Sequence, residues 1–212
     1  MTHILTSENP TPRIVVPYIT SWSEEDDPLD AALLLEHGGR LAYLNETLTD
    51  RDAKGVLWCR TFFRPRQGKP NFGVVHPLRQ RRAMLRLLCQ VCGSPATRSD
   101  NGILWLLKDH RDDWPNWPAD MAVTEPPICM ACAKVASRLC PALRPGAVLL
   151  WARTFPVVGV YGPVYRSTGV VRVVSSEEQR IVTYGDPAIR WVCATSQIRR
   201  LNDCTIVSMD TL

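Results

Sequence analysis

Leu88-Cys89-Gln90-Val91-Cys92-Gly93 and Cys129-Met130-Ala131-Cys132, with 36 residues between the two cysteine pairs, are the stretches on which the fold turns. Two residues between ligands let one tight turn aim both sulfurs at a single metal ion, and a tetrahedral site needs two such pairs. Gly93 follows the first pair, where the backbone of such a turn calls for positive φ. The second pair opens a helix expected from Met130 to Cys140-Pro141, where proline cannot continue it. Its sulfurs then lie near the helix N-terminus, whose dipole favours thiolate. The spacing therefore implies one structural Zn²⁺ held by Cys89, Cys92, Cys129 and Cys132. Four cysteines fill the shell and leave no position for water.

The chain has eight cysteines. Cys59 sits in an apolar strand, and Cys193 and Cys204 have apolar neighbours. Cys140 lies two helical turns beyond Cys132, ~12 Å away at 1.5 Å per residue. These four are read as core residues. Met1 to Pro10 is polar and shows no signal-peptide pattern, and no apolar run is long enough to span a bilayer. The expected setting is cytoplasmic, reduced and away from membranes, where paired cysteines are ligands rather than disulfides.

Outward from the cysteines, Pro77 to about Leu88 reads as a helix with Leu78, Met84, Leu85 and Leu88 on one side and Arg79, Arg82 and Arg86 on the other. His76 is placed to cap it. Gly102 to Leu107 reads as a strand, followed by Asp109-His110 and a Trp-Pro loop from Trp114 to Pro118. Tryptophans 105, 114 and 117 are expected to pack over the zinc module. Further upstream, Asp27 and Pro28 predict a short helix running to His37, ended by Gly38-Gly39. Leu41 to Leu44 and Val56 to Phe63 are expected strands. Beyond Pro145-Gly146, Val148 to Val160, Gly169 to Val174 and Arg180 to Tyr184 are β-branched runs. A short helix over Ser196 to Leu201 and a strand from Thr205 to Met209 complete the reading. Three segments result: 1–75, acidic then basic; 76–145, the zinc module; and 146–212, rich in β-structure.

A knuckle, a hairpin and a helix carrying the second cysteine pair resemble a treble-clef zinc finger, which implies an α+β fold with that module at its centre. The layout also resembles the HNH endonuclease family, through Cys89 to Gly93, Asp109-His110 and Cys129 to Cys132. In that family a histidine activates water beside a catalytic metal, and His110 holds the matching place. Ala133 stands where the family places a histidine after the second pair, and the family's central asparagine is not evident. The resemblance is thus to a degenerate, non-cleaving member. Arg13 to Trp22, Val75 to Arg82 and Arg190 to Leu201 resemble an uncharacterised group of actinobacterial, phage-associated proteins, which supplies a context and no mechanism.

Hydrophobic residues make up 45% and charged residues 22%, enough for a packed core, and the formal net charge is only +4. The charge is unevenly placed. Trp22 to Asp52 holds nine acidic and two basic residues, whereas Ala53 to Arg86 holds nine basic residues and no acidic one. Either the two stretches neutralise each other or the second is a binding face. Arg64, Arg66, Arg79, Arg82 and Arg86 are the candidate nucleic-acid contacts, interleaved with Phe62, Phe63 and Phe72. Three function classes stay open: a non-catalytic zinc protein binding DNA or RNA through this face, an HNH-type metal-dependent nuclease using His110, and a protein-interaction scaffold. The arginine stripe is the basis of the first, and the missing histidine after Cys132 argues against the second.

Overall fold

Ile103, Leu104, Trp105, Leu106 and Leu107 are all buried. Successive side chains of an extended chain point to opposite faces, so a run buried throughout marks a strand covered on both sides. The computed structural model describes residues 15–25, 34–169 and 173–208. In chain order its elements are β1 (Thr20–Trp22), β2 (Leu34–His37), β3 (Arg40–Tyr43), β4 (Leu57–Trp58), β5 (Pro70–Val75), α1 (Pro77–Arg86), β6 (Arg98–Ser99), β7 (Gly102–Lys108), β8 (Met121–Val123), α2 (Met130–Leu139), β9 (Ala147–Thr154), β10 (Val157–Ser167), β11 (Val173–Thr183), β12 (Cys193–Ala194) and β13 (Ser196–Val207). The class is α+β, as expected. No helix among the described residues is long and apolar enough to cross a membrane.

An antiparallel sheet runs β11-β10-β13-β9-β7-β6, with β8 also paired to β13. One face carries Ile103, Trp105, Leu107, Val148, Leu150, Ala152 and Leu201, closed by Met84 of α1. The other carries Leu104, Leu106 and Leu149, closed by Cys89, Ile128 and Ala133. The knuckle and α2 therefore sit on one side of β7, and α1 on the other. Trp114 and Trp117 pack with Trp105 on the α1 side, so the tryptophans cover the face opposite the cysteines.

β13 is the hub of the sheet. Ser196 to Arg199 pair with β10, Arg199 to Leu201 with β8, and Asn202 to Val207 with β9. The helix expected over Ser196 to Leu201 is thus a strand. Its backbone and side chains are claimed by distant partners. Gln80 donates to the Gln197 carbonyl (2.9 Å), and the Gln197 N–H donates back to Gln80 Oε1 (2.8 Å). Arg199 donates twice to the Met84 carbonyl, at 2.9 and 2.7 Å. Met84 lies in the last turn of α1, where carbonyls lack partners inside the helix, so Arg199 fills that need.

Other expectations shift for similar reasons. Leu34 to His37 form a strand paired with β3, not the end of a helix, and residues 27–33 of that expected helix and its cap lie outside the described residues. Of Val56 to Phe63 only Leu57–Trp58 is a strand, parallel to β12. Beyond it the backbone is held by Glu25: the Phe62 N–H donates to the Glu25 carbonyl and the Arg64 N–H to Glu25 Oε1 (3.1 Å). Val148 to Val160 splits into β9 and β10 around Pro156, and β5, which pairs with β1, has no counterpart in the sequence reading.

Glu25, His76 and Arg79 form a buried cluster beneath the start of α1. Arg79 grips Glu25 with two bonds of 2.6 Å and donates to the Thr20 carbonyl at 2.6 Å. His76 Nδ1 accepts from the Arg79 N–H as the helix cap, while Nε2 faces the Phe62 carbonyl at 2.9 Å, which assigns a neutral ring protonated on Nε2. Burial, with Arg79 beside it, pushes the His76 pKa down. Burial opposes ionisation of Glu25, but the Arg79 bonds and the Trp22 N–H hold its carboxyl below the usual range.

Both groups are depressed in the folded state, so the unfolded chain binds their protons first as pH falls. The stability they supply is complete above about pH 6.5, is lost below it as the unfolded histidine protonates, and falls again below about pH 4.5 as Glu25 does. Urea unfolding at pH 7 and pH 5 should show lower stability at pH 5, with a smaller difference in His76→Gln. Arg79→Met, which strands a buried carboxylate, should cost about 3–5 kcal/mol at pH 7.

Candidate metal centre

The first cysteine pair follows directly from the way α1 ends. Leu87 takes a left-handed conformation (φ 53°), and the Leu88 N–H closes back on the Ala83 carbonyl at 2.9 Å, turning the chain into Cys89. The knuckle is then fixed by Cys89 N–H to the Ser94 carbonyl (2.7 Å) and Gly93 N–H to the Cys89 carbonyl (2.9 Å). Gly93 has φ 74°, and a Cβ there would lie 2.9 Å from the Tyr18 ring. Glycine is needed for both reasons.

The second pair is positioned by β7. The Ile128 N–H donates to the Leu104 carbonyl at 2.9 Å, bringing the chain to Cys129, the N-cap of α2. Thr97 Oγ1 accepts from the Met130 N–H at 2.8 Å, satisfying a helix-start donor from across the hairpin. Cys132 lies three residues into α2, on the same side of its first turn as Cys129. The order of parts is knuckle, β6–β7 hairpin, then α2.

The four sulfurs all lie within 4.8 Å of one another, and Cys92 Sγ and Cys129 Sγ are 3.9 Å apart. A tetrahedral zinc with Zn–S bonds of about 2.3 Å sets its sulfurs about 3.8 Å apart. Cys89 is buried, Cys129 and Cys132 half-buried and Cys92 exposed. The Val91 N–H points at Cys89 Sγ from 3.4 Å. Burial pushes the Cys89 thiol up, and burial with the neighbouring thiols pushes Cys132 up strongly. At Cys92 burial is outweighed by hydrogen bonds from Ser94, which bring it to about 7. A divalent cation removes this conflict by deprotonating coordinated thiols outright. The residues present therefore fit a metal site, and none of the eight cysteines is in a disulfide.

Among the described residues this quartet is the only group of three or more His, Cys, Asp or Glu side chains placed to share a metal. Cys59, Cys140, Cys193 and Cys204 stand outside it. Ala133 is fully buried against Leu104 and Leu106, in the first turn of α2. His110 is partly exposed, with Nδ1 at 2.6 Å from Asp113 Oδ2, and Asp109 is held by Arg111.

The candidate arginines separate. Arg79 is buried and ion-paired with Glu25, so its charge is spent inside the molecule. The helical spacing of arginines could not distinguish it from its neighbours; the distant Glu25, in the acidic Trp22 to Asp52 stretch, decides its place. Arg60 is likewise paired with Asp50, whose pKa it lowers to about 2 despite burial. Arg64, Arg66, Arg82 and Arg86 are exposed, as is Lys69.

The chain matches no protein-family model, and no curated protein or solved structure matches it. Neither the nuclease-family nor the phage-group resemblance gains support there.

Metal analysis of the purified chain should find about one zinc per molecule, lost in Cys129→Ser/Cys132→Ser. Structural zinc contributes about 10–16 kcal/mol of apparent binding energy, as much as the whole net stability of an ordinary domain. Chelation should therefore lower the thermal midpoint sharply, and added Zn²⁺ should restore it.

Proposed function

We propose that the chain is a non-catalytic nucleic-acid-binding protein, stapled by zinc at Cys89, Cys92, Cys129 and Cys132 in a treble-clef arrangement. Its contact face is built from Arg64, Arg66, Lys69, Arg82 and Arg86. One observation carries this reading: among the described residues, no carboxylate pairs with any of the five. Among the described residues, the arginines of the basic stretch that form ion pairs with the acidic segment are Arg79 and Arg60, through Glu25 and Asp50. The five side chains are exposed and suit phosphate oxygens, which arginine binds through its planar fork.

The zinc contributes geometry. The knuckle binds the N-terminal segment through Tyr18 N–H to the Val91 carbonyl (2.8 Å), and it follows directly from the C-terminal turn of α1. The staple thus sets the attitude of the helix that carries Arg82 and Arg86. A closed four-sulfur shell supplies no activated water.

Fluorescence anisotropy with generic duplex DNA tests this. If all five cations meet phosphates, the logarithm of affinity should fall against that of salt with a slope of about −4.5. Arg82→Gln and Arg86→Gln should each flatten it by about 1. Absence of binding at low salt, or binding indifferent to salt, overturns the proposal.

A further inference from the structure

Resting on the reading above, we propose that the preferred ligand of this face is single-stranded nucleic acid, whose bases stack on Phe63 and Phe72 while its phosphates lie against the neighbouring cations. Phe63 and Phe72 are each 58% exposed, unusual for side chains that normally dominate a core. The Phe63 ring stands edge-on to the His76 ring at 6.0 Å, at the very start of α1, with the Arg79 guanidinium 5.8 Å from its centre. Phe62, whose carbonyl meets His76 Nε2, is covered on one face by the Arg64 guanidinium at 4.4 Å. Val74 and Val75 of β5 and Leu78 in the first turn of α1 are exposed as well.

The backbone here is built to hold these rings outward. Glu25 binds the Phe62 and Arg64 N–H groups, which fixes the strand-like segment carrying Phe62 and Phe63 without pairing it in a sheet. β5 pairs with β1 through Val75, Asn71 and Pro70, and the register slips between, so Phe72 lies within the bulged stretch. Arg64, Arg66 and Lys69 lie on the connection between Phe63 and Phe72, and Arg82 follows Leu78 by one helical turn.

A surface of exposed phenylalanine rings beside exposed cations has a definite chemical complement: a polyanion with exposed π-faces. Single strands offer that combination, because each base presents a flat face and each nucleotide a phosphate. Duplex DNA hides its base faces in the stack, so it meets only the cations. The phenylalanines should therefore matter for one form and not for the other. A membrane or an acidic protein segment would supply the charge but not a ring face that distinguishes phenylalanine from leucine.

The test compares a fluorescent 20-nucleotide oligothymidine with a mixed-sequence duplex of equal length, using the zinc-loaded full chain at one salt concentration. The single strand should bind at least about tenfold more tightly. Phe63→Leu and Phe72→Leu keep apolar bulk but remove the ring. Each should weaken single-strand binding by about fivefold or more, the lower end of what stacking contributes, and leave the duplex unchanged. Arg64→Gln should weaken both. Circular dichroism and zinc content of each variant should match the parent, and Phe72→Leu alone serves if Phe63→Leu disturbs the helix start. Equal affinity for both forms, or leucine variants that bind the single strand like the parent, overturns this inference and leaves the nucleic-acid reading standing. No binding to either form overturns that reading too.

Discussion

Four cysteine sulfurs held within 4.8 Å of one another are a constraint that the protein alone does not relax. As thiols they offer only weak hydrogen bonds, and as thiolates they repel. Burial at Cys89, and burial with crowding at Cys132, raise the cost of ionisation where ligation demands it. A divalent cation resolves both difficulties at once, and the sulfur spacing is that of a tetrahedral site. Much of the local structure serves this cluster: the left-handed Leu87, the positive φ of Gly93, the Thr97 hydroxyl at the start of α2, and the Leu104 carbonyl that places Ile128.

The consequences reach beyond the ligands. The knuckle pairs with Tyr18 and Ile19, and the same N-terminal stretch leads into β1, which pairs with β5 and ends beside Glu25. Glu25 then fixes Arg79 of α1 and the backbone at Phe62 and Arg64. A continuous path of hydrogen bonds thus runs from the cysteine cluster to the exposed aromatic and basic residues. On the opposite side of the sheet, Gln80 and Arg199 lock α1 to β13. The helix is held at both its ends and its middle, which suits an element whose outer side presents fixed charges to a ligand.

Local chemistry was legible in the sequence where the determinants lie within a few residues. The cysteine spacing, the proline that starts α1, the Cys140-Pro141 stop of α2 and the apolar run of β7 all fall into this group. Ser196 to Leu201 could not be read, because its strand state depends on Gln80 and Met84, more than a hundred residues away. Arg79 and Glu25 were hidden for a related reason. An arginine on a helix and a glutamate in an acidic run both look solvated until the fold brings them to 2.6 Å. The charge switch between the two N-terminal stretches was visible, and its partial neutralisation through Glu25 and Asp50 was not.

Every part of the account depends on what the four sulfurs bind, and X-ray absorption at the zinc edge reads that most directly. On the protein as purified, the account predicts a single shell of four sulfurs at about 2.3 Å with no lighter ligand. A shell containing nitrogen or oxygen, or a protein that folds fully with no metal bound, would contradict it.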